Sequence, residues 1–126
     1  MMLEITGGYA AALTALFLLL SARVIVFRRK NRINLGDGGD PEMLRRIRAQ
    51  GNFAEYATLG IVLLGIAELQ GEAALWLHGL GAMLLVGRLA HGLNFTFALN
   101  NVMLRVGGMV LTLFALGFGA VLVLPL

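Results

Sequence analysis

There is no cysteine anywhere in this chain of 126 residues. A disulfide framework, a thiolate metal site and a cysteine nucleophile are therefore excluded. Charge is scarce too: 13% of residues are charged against 59% hydrophobic, and the mean hydropathy is +0.84. A soluble domain of this length has too little interior to hide that much apolar surface, so the composition points to one membrane-embedded domain. The two histidines, His78 and His91, lie thirteen positions apart with no cysteine to complete a set, so no zinc site is expected and no metal is assigned. GDGGD at 36–40 is too short for a calcium loop and lacks the terminal bidentate glutamate. No Ser-His-Asp set is apparent. The opening MMLEITGGYA carries Glu4 and no Lys or Arg, which argues against a cleaved signal peptide.

What is present is four hydrophobic segments. Residues 5–22 are free of charge and about one bilayer crossing long. Residues 56–67 form a shorter run, 73–87 a third that continues past Arg88 to about 95, and 106–126 the cleanest. The one evident loop is NRINLGDGGDPEM, whose glycines and aspartates favour turns. Asp40 reads as an N-cap, with Pro41 at the first helical position and Glu42 in the first turn. A helix from Pro41 to Leu69 is roughly 40 Å long, more than the ~30 Å hydrocarbon core, so its first turns project from the membrane. The expectation is an all-α bundle of four transmembrane helices in a single domain, 1–126. Its helices fall near 5–27, 41–69, 73–97 and 103–125, with a loop at 28–40.

Charge sets the orientation. With four crossings, all ten Lys and Arg residues fall near one side, while Glu4, Glu68 and Glu72 fall near the other. This is the positive-inside pattern. It places both termini outside and the basic loop, 28–40, in the cytoplasm. It also accounts for the pI of about 10.2 without nucleic acid as a partner.

One stretch, RRIRAQGNFAEY at 45–56, sets polar residues at the mouth of a hydrophobic helix. Arg45, Arg48, Asn52 and Glu55 recur at helical spacing and share one face, with Tyr56 on its border. Ionisable side chains cost roughly 2.5–3.5 kcal/mol each near the membrane centre, so they turn toward protein or a wet cavity. Arg88 and His91 form a similar stripe on the third helix, Arg23 ends the first, and Arg105 starts the fourth. Each helix thus brings a cation to the same boundary, a pocket suited to a polyanionic small molecule. Structural readings stand beside this one. Arg28, Arg29, Lys30 and Arg32 can snorkel to lipid headgroups. Arg48 and Glu55 can form an interhelical ion pair, and Asn52 can bond a neighbouring helix.

The run Arg48-Ala49-Gln50-x-Asn52-x-x-Glu55-Tyr56 at the head of a second hydrophobic helix resembles the signature of the MAPEG family, the membrane-associated proteins in eicosanoid and glutathione metabolism. Ser21-Ala22-Arg23, Gly87-Arg88-Leu89 with His91, and Arg105 match in order. The short form and the GDGG loop are most similar to bacterial inner-membrane members. The resemblance implies a homotrimer binding glutathione between subunits near the cytosolic side, with Arg23, Arg48, Gln50, Asn52, Glu55, Tyr56, Arg88 and His91 around the cofactor. It implies Arg105 as the catalytic residue that stabilises the thiolate, with a lipophilic electrophile or lipid hydroperoxide as the other substrate. His91 and Phe95 stand where well-studied members carry tyrosines. Two other readings remain: a non-catalytic scaffold or ligand sensor of the same fold, and a small proton-coupled multidrug exporter. The exporter reading suffers from the absence of a carboxylate inside helix 1 and from the cations flanking Glu55.

Overall fold

The computed structural model describes residues 2–125, and among them there are four helices and no strand. They are α1 (Glu4–Lys30), α2 (Pro41–Leu69), α3 (Ala74–Thr96) and α4 (Val102–Leu122). α1, α2 and α4 are each long and apolar enough to cross a membrane. α3, at 23 residues, has the length but is not among the helices apolar enough by the same measure. Its Arg88, His91 and Asn94 are buried, so that polarity faces protein and not lipid.

The helix starts follow from local chemistry. The Asp40 carboxylate accepts from the backbone N–H of Glu42 at 2.8 Å and of Met43 at 3.1 Å, so it satisfies donors that the first turn of α2 would otherwise leave open. Asn101 does the same for α4, accepting from the Leu104 N–H at 3.2 Å. α1 has no cap of its own, because Leu3 stands at that position. The cap comes from the far end of α2: Glu68 accepts from the Ile5 N–H at 3.0 Å and the Thr6 N–H at 2.7 Å. A carboxylate at a helix N-terminus is also favoured by the helix dipole, so this contact closes one end of the bundle.

Three of the four helices differ from expectation in their bounds. α1 continues through Arg28, Arg29 and Lys30, placed above in the loop, and the loop shrinks to 31–40. Cations are favoured in the last turn of a helix, so the basic cluster extends α1. The Arg28 guanidinium then donates to the Gly36 carbonyl at 2.9 Å and staples the loop to the helix. α3 is one residue shorter at each end than expected, with Ala73 as its extended N-cap residue. α4 begins at Val102 and stops at Leu122 instead of 125, since Pro125 disfavours helical backbone at the residue before it.

α2 and α3 each pack against all three other helices, whereas α1 and α4 make no contact among the described residues. The core between them holds Leu13, Phe53, Leu64, Leu80, Leu84 and Ala115. Leu18, Leu59, Phe114 and Val121 point outward, which suits a lipid surround. The backbones of α3 and α4 approach closely. A Cβ on Gly108 would lie 2.7 Å from the Gly87 carbonyl oxygen and 2.8 Å from the His91 nitrogen, and a Cβ on Gly87 would lie 2.8 Å from the Gly108 carbonyl oxygen. Only glycine permits this crossing. Gly108→Val should destabilise the protein in detergent by about 1–3 kcal/mol, read as a lower thermal midpoint. Gly7→Ala, where an added Cβ meets nothing within 4 Å, should not lower it. Equal midpoints for the two variants would refute the crossing.

A cationic cleft and a buried arginine cluster

The polar stripe of α2 divides between two places. Arg48, which is exposed, opens onto a cleft of about 400 Å³ between the starts of α2 and α4 and the end of α3. Arg45 and Arg105 line it as well, with Asn94, Phe95 and Asn101. No carboxylate among the described residues lines this cleft. Arg45 pairs with Glu42 one turn back, and Glu42 also accepts from Arg46 Nε at 2.7 Å. The Nε of Arg45 is buried and unpartnered. Asn94 Oδ1 accepts from the Asn101 N–H at 2.8 Å, holding the α3–α4 turn against the cleft wall. Arg48 and Arg105, far apart in sequence, are thus brought together. Asn94 and Asn101 were not anticipated as cleft residues, because Asn94 falls inside the expected third helix, 73–97, and Asn101 in the turn that follows it.

The second place is internal. Arg88 is 1% exposed, and its guanidinium is surrounded by neutral groups. Nη1 donates to Asn52 Oδ1 at 2.6 Å, and Nε donates to Thr112 Oγ1 at 3.0 Å. Nη2 lies 3.6 Å from the Met109 sulfur, and the Tyr56 ring covers the cation at 5.5 Å from its centroid. Arg88, Asn52 and Tyr56 were expected on a ligand-facing surface. They form a clasp joining α2, α3 and α4, because a guanidinium in the hydrocarbon zone must find its acceptors within the protein.

The remaining expected residues disperse. Arg23 donates to the Thr96 carbonyl at 2.6 Å and ties α1 to the end of α3, outside the cleft. Its own carbonyl accepts from Arg46, whose guanidinium lies over the Phe27 ring. Gln50 donates to Ser21 Oγ at 3.2 Å and so faces α1. His91 is buried, with its ring against that of Phe95 at 4.8 Å between centroids. Glu55 is exposed and makes no hydrogen bond or ion pair among the described residues. The ion pair considered between Arg48 and Glu55 is absent within the chain, since one opens onto the cleft and the other lies on the uncovered face of α2. Among the described residues no group of acidic, His or Cys side chains could hold a metal ion.

Apolar outward faces, spanning-length helices and polar groups gathered inside and at one end define an integral membrane protein built as a four-helix bundle. Residues 6–124 match the model of the MAPEG family, and the chain belongs to that family. It is 38% identical over 91 residues to the inner membrane protein YecN of Escherichia coli strain K12, covering 72% of this chain and 70% of YecN. YecN of Escherichia coli O6:H1 strain CFT073 matches to the same extent. No solved structure matches.

The clasp carries a stability prediction. Arg88→Ala leaves a buried cavity and removes the donor from the Asn52 and Thr112 oxygens, so it should destabilise the protein by about 3 kcal/mol. Arg48→Ala, on an exposed side chain, should leave the thermal midpoint in detergent unchanged. Similar losses for the two would mean that Arg88 is not an internal clasp.

Proposed function

We propose that this protein binds glutathione and acts as a membrane glutathione transferase or peroxidase on lipophilic electrophiles. The observation that carries the reading is the cleft itself: Arg45, Arg48 and Arg105 line one volume of about 400 Å³, and only Arg45, through Glu42, has a carboxylate partner among the described residues. Such a site favours an anion with more than one acceptor group. Glutathione has two carboxylates, one ammonium and one thiol, and fits this donor set. Arg48 and Arg45 hold a carboxylate through charge-assisted hydrogen bonds. Glu55 takes the ammonium, and Asn52 and Gln50 take peptide groups. Bound glutathione supplies a sulfur nucleophile for attack on an electrophile or reduction of a lipid hydroperoxide. Arg105 favours the thiolate over the thiol by its positive charge and keeps the sulfur oriented. The position of the cleft, at the end of the bundle beside the apolar helix faces, lets a polar cofactor arrive from water and an apolar substrate from lipid.

The same reading includes a homotrimer. Glu55 lies on the open face of α2, more than three turns inside the helix, and an uncovered carboxylate there is costly in lipid. A second copy covering that face brings Glu55 toward the neighbour's cleft. The basic loop, the start of α2 and the start of α4 share one end of the bundle, while Glu4 and Glu68 share the other. This supports an inner-membrane orientation with the basic end in the cytoplasm and both termini in the periplasm.

Mixing detergent-solubilised protein with glutathione should give ultraviolet thiolate absorbance at neutral pH. The signal should vanish in Arg105→Leu, and Arg48→Ala should bind more weakly by roughly tenfold, the worth of one charge-assisted contact. Absence of binding at millimolar glutathione would sink the proposal; binding without thiolate would favour a sensor. Native mass spectrometry of the same sample should show three copies, and a monomer would remove the shared site. For orientation, the cysteine-free chain allows single labels: Asn34→Cys should react with a membrane-impermeant thiol reagent only from the cytoplasmic side and Gln70→Cys only from the periplasmic side. The reverse pattern would invert the topology.

A further inference from the structure

We propose that Arg88 is a positioning residue that locks the carboxamide of Asn52, so that α2 offers a ligand the Nδ2 donor and withholds the oxygen. The warrant is the direction of each hydrogen bond. A guanidinium only donates, so the group it meets at 2.6 Å must be the Asn52 oxygen. The guanidinium cannot turn away, because α4 holds its other edge. Nε donates to Thr112 Oγ1, whose own proton is committed to the Gly108 carbonyl at 2.8 Å. Thr112 therefore has only lone pairs to show Arg88, and both Arg88 and Thr112 are buried, at 1% and 0% exposed. The Gly87–Gly108 crossing fixes the distance between the two helices that carry them. Met109 and the Tyr56 ring close the remaining sides.

With its oxygen turned inward, Asn52 has one free group. Nδ2 has no partner among the described residues and is not one of the buried unpartnered atoms. It belongs to the stripe that also carries Arg48 and Glu55. A free Asn can flip and serve a donor or an acceptor; a locked one selects. The group recognised at this point is a carbonyl or carboxylate oxygen, and a ligand N–H placed there meets a donor and is rejected. This inference rests on the glutathione reading only in naming the ligand, whose peptide carbonyl supplies such an oxygen.

Asn52→Asp isolates the effect. The variant keeps an acceptor for Arg88 and replaces the outward donor with an acceptor. In detergent its thermal midpoint should equal or exceed the wild-type value. In an Arg88→Gln background, where the cation is gone, the same substitution should lower the midpoint. Isothermal titration with glutathione should show affinity at least about tenfold weaker for Asn52→Asp. Arg88→Gln, buried and out of reach of ligand, should weaken affinity several-fold with Asn52 present and not at all in an Asn52→Ala background. Arg88→Lys, still a donor, should restore part of the loss. If Asn52→Asp lowers the midpoint equally in the wild-type and Arg88→Gln backgrounds, the lock is overturned. A coupled pair with unchanged glutathione affinity would overturn the donor role. Wild-type protein that binds no glutathione would overturn the functional reading, and the midpoint coupling would still decide the lock.

Discussion

A positive charge that is 1% exposed, held by a carboxamide oxygen, a hydroxyl and a sulfur, sits where α2, α3 and α4 meet. Lipid tails offer a guanidinium no acceptor, so the protein must supply them from the neighbouring helices, and at the right distance. That requirement sets much of the arrangement. Thr112 reaches Arg88 because Gly87 and Gly108 let the α3 and α4 backbones touch. Asn52 reaches it because Gly60, under Leu84, lets α2 lie close to α3 on the same side.

The ends of the bundle solve a related problem. Helix termini expose backbone donors and acceptors that the membrane interior cannot satisfy. At one end α2 lends Glu68 to the first turn of α1; at the other, Asp40, Asn94 and Asn101 organise the starts of α2 and α4. The capping groups differ in kind from the arginines beside them. Carboxylates and carboxamides are consumed by backbone N–H groups, which leaves Arg48 and Arg105 in the cleft without internal counter-charge. The excess of cations at that end is what makes an anion the fitting guest.

Helix positions, the loop and the basic end were legible in the sequence, because each depends on interactions within a few residues: a cap before Pro41, glycines in a turn, charge absent over a bilayer width. The grouping of the α2 stripe was only half legible. Helical spacing puts Arg48, Asn52 and Glu55 on one face, and that much is geometry. Which of them meets the cleft, which meets Arg88 and which meets nothing depends on where α3 and α4 lie. Arg88 looked like another boundary cation because its sequence neighbours are apolar either way. Thr112, one threonine in an apolar helix, carried no signal at all.

The sequence by itself determined the membrane class, four helices, their spans to within three residues, and the asymmetry of charge between the two ends. These are sums over local composition and period, and no tertiary contact alters them. Only the tertiary structure decided that Arg45, Arg48 and Arg105 share a cleft while Arg88 is withdrawn from it. It also decided that Asn52 turns its oxygen inward and that Glu68 caps another helix. The physical reason is that a buried donor or acceptor is satisfied by whichever helix packs against it, and that neighbour is named by backbone distance at a few glycines, not by the residues beside it in the chain.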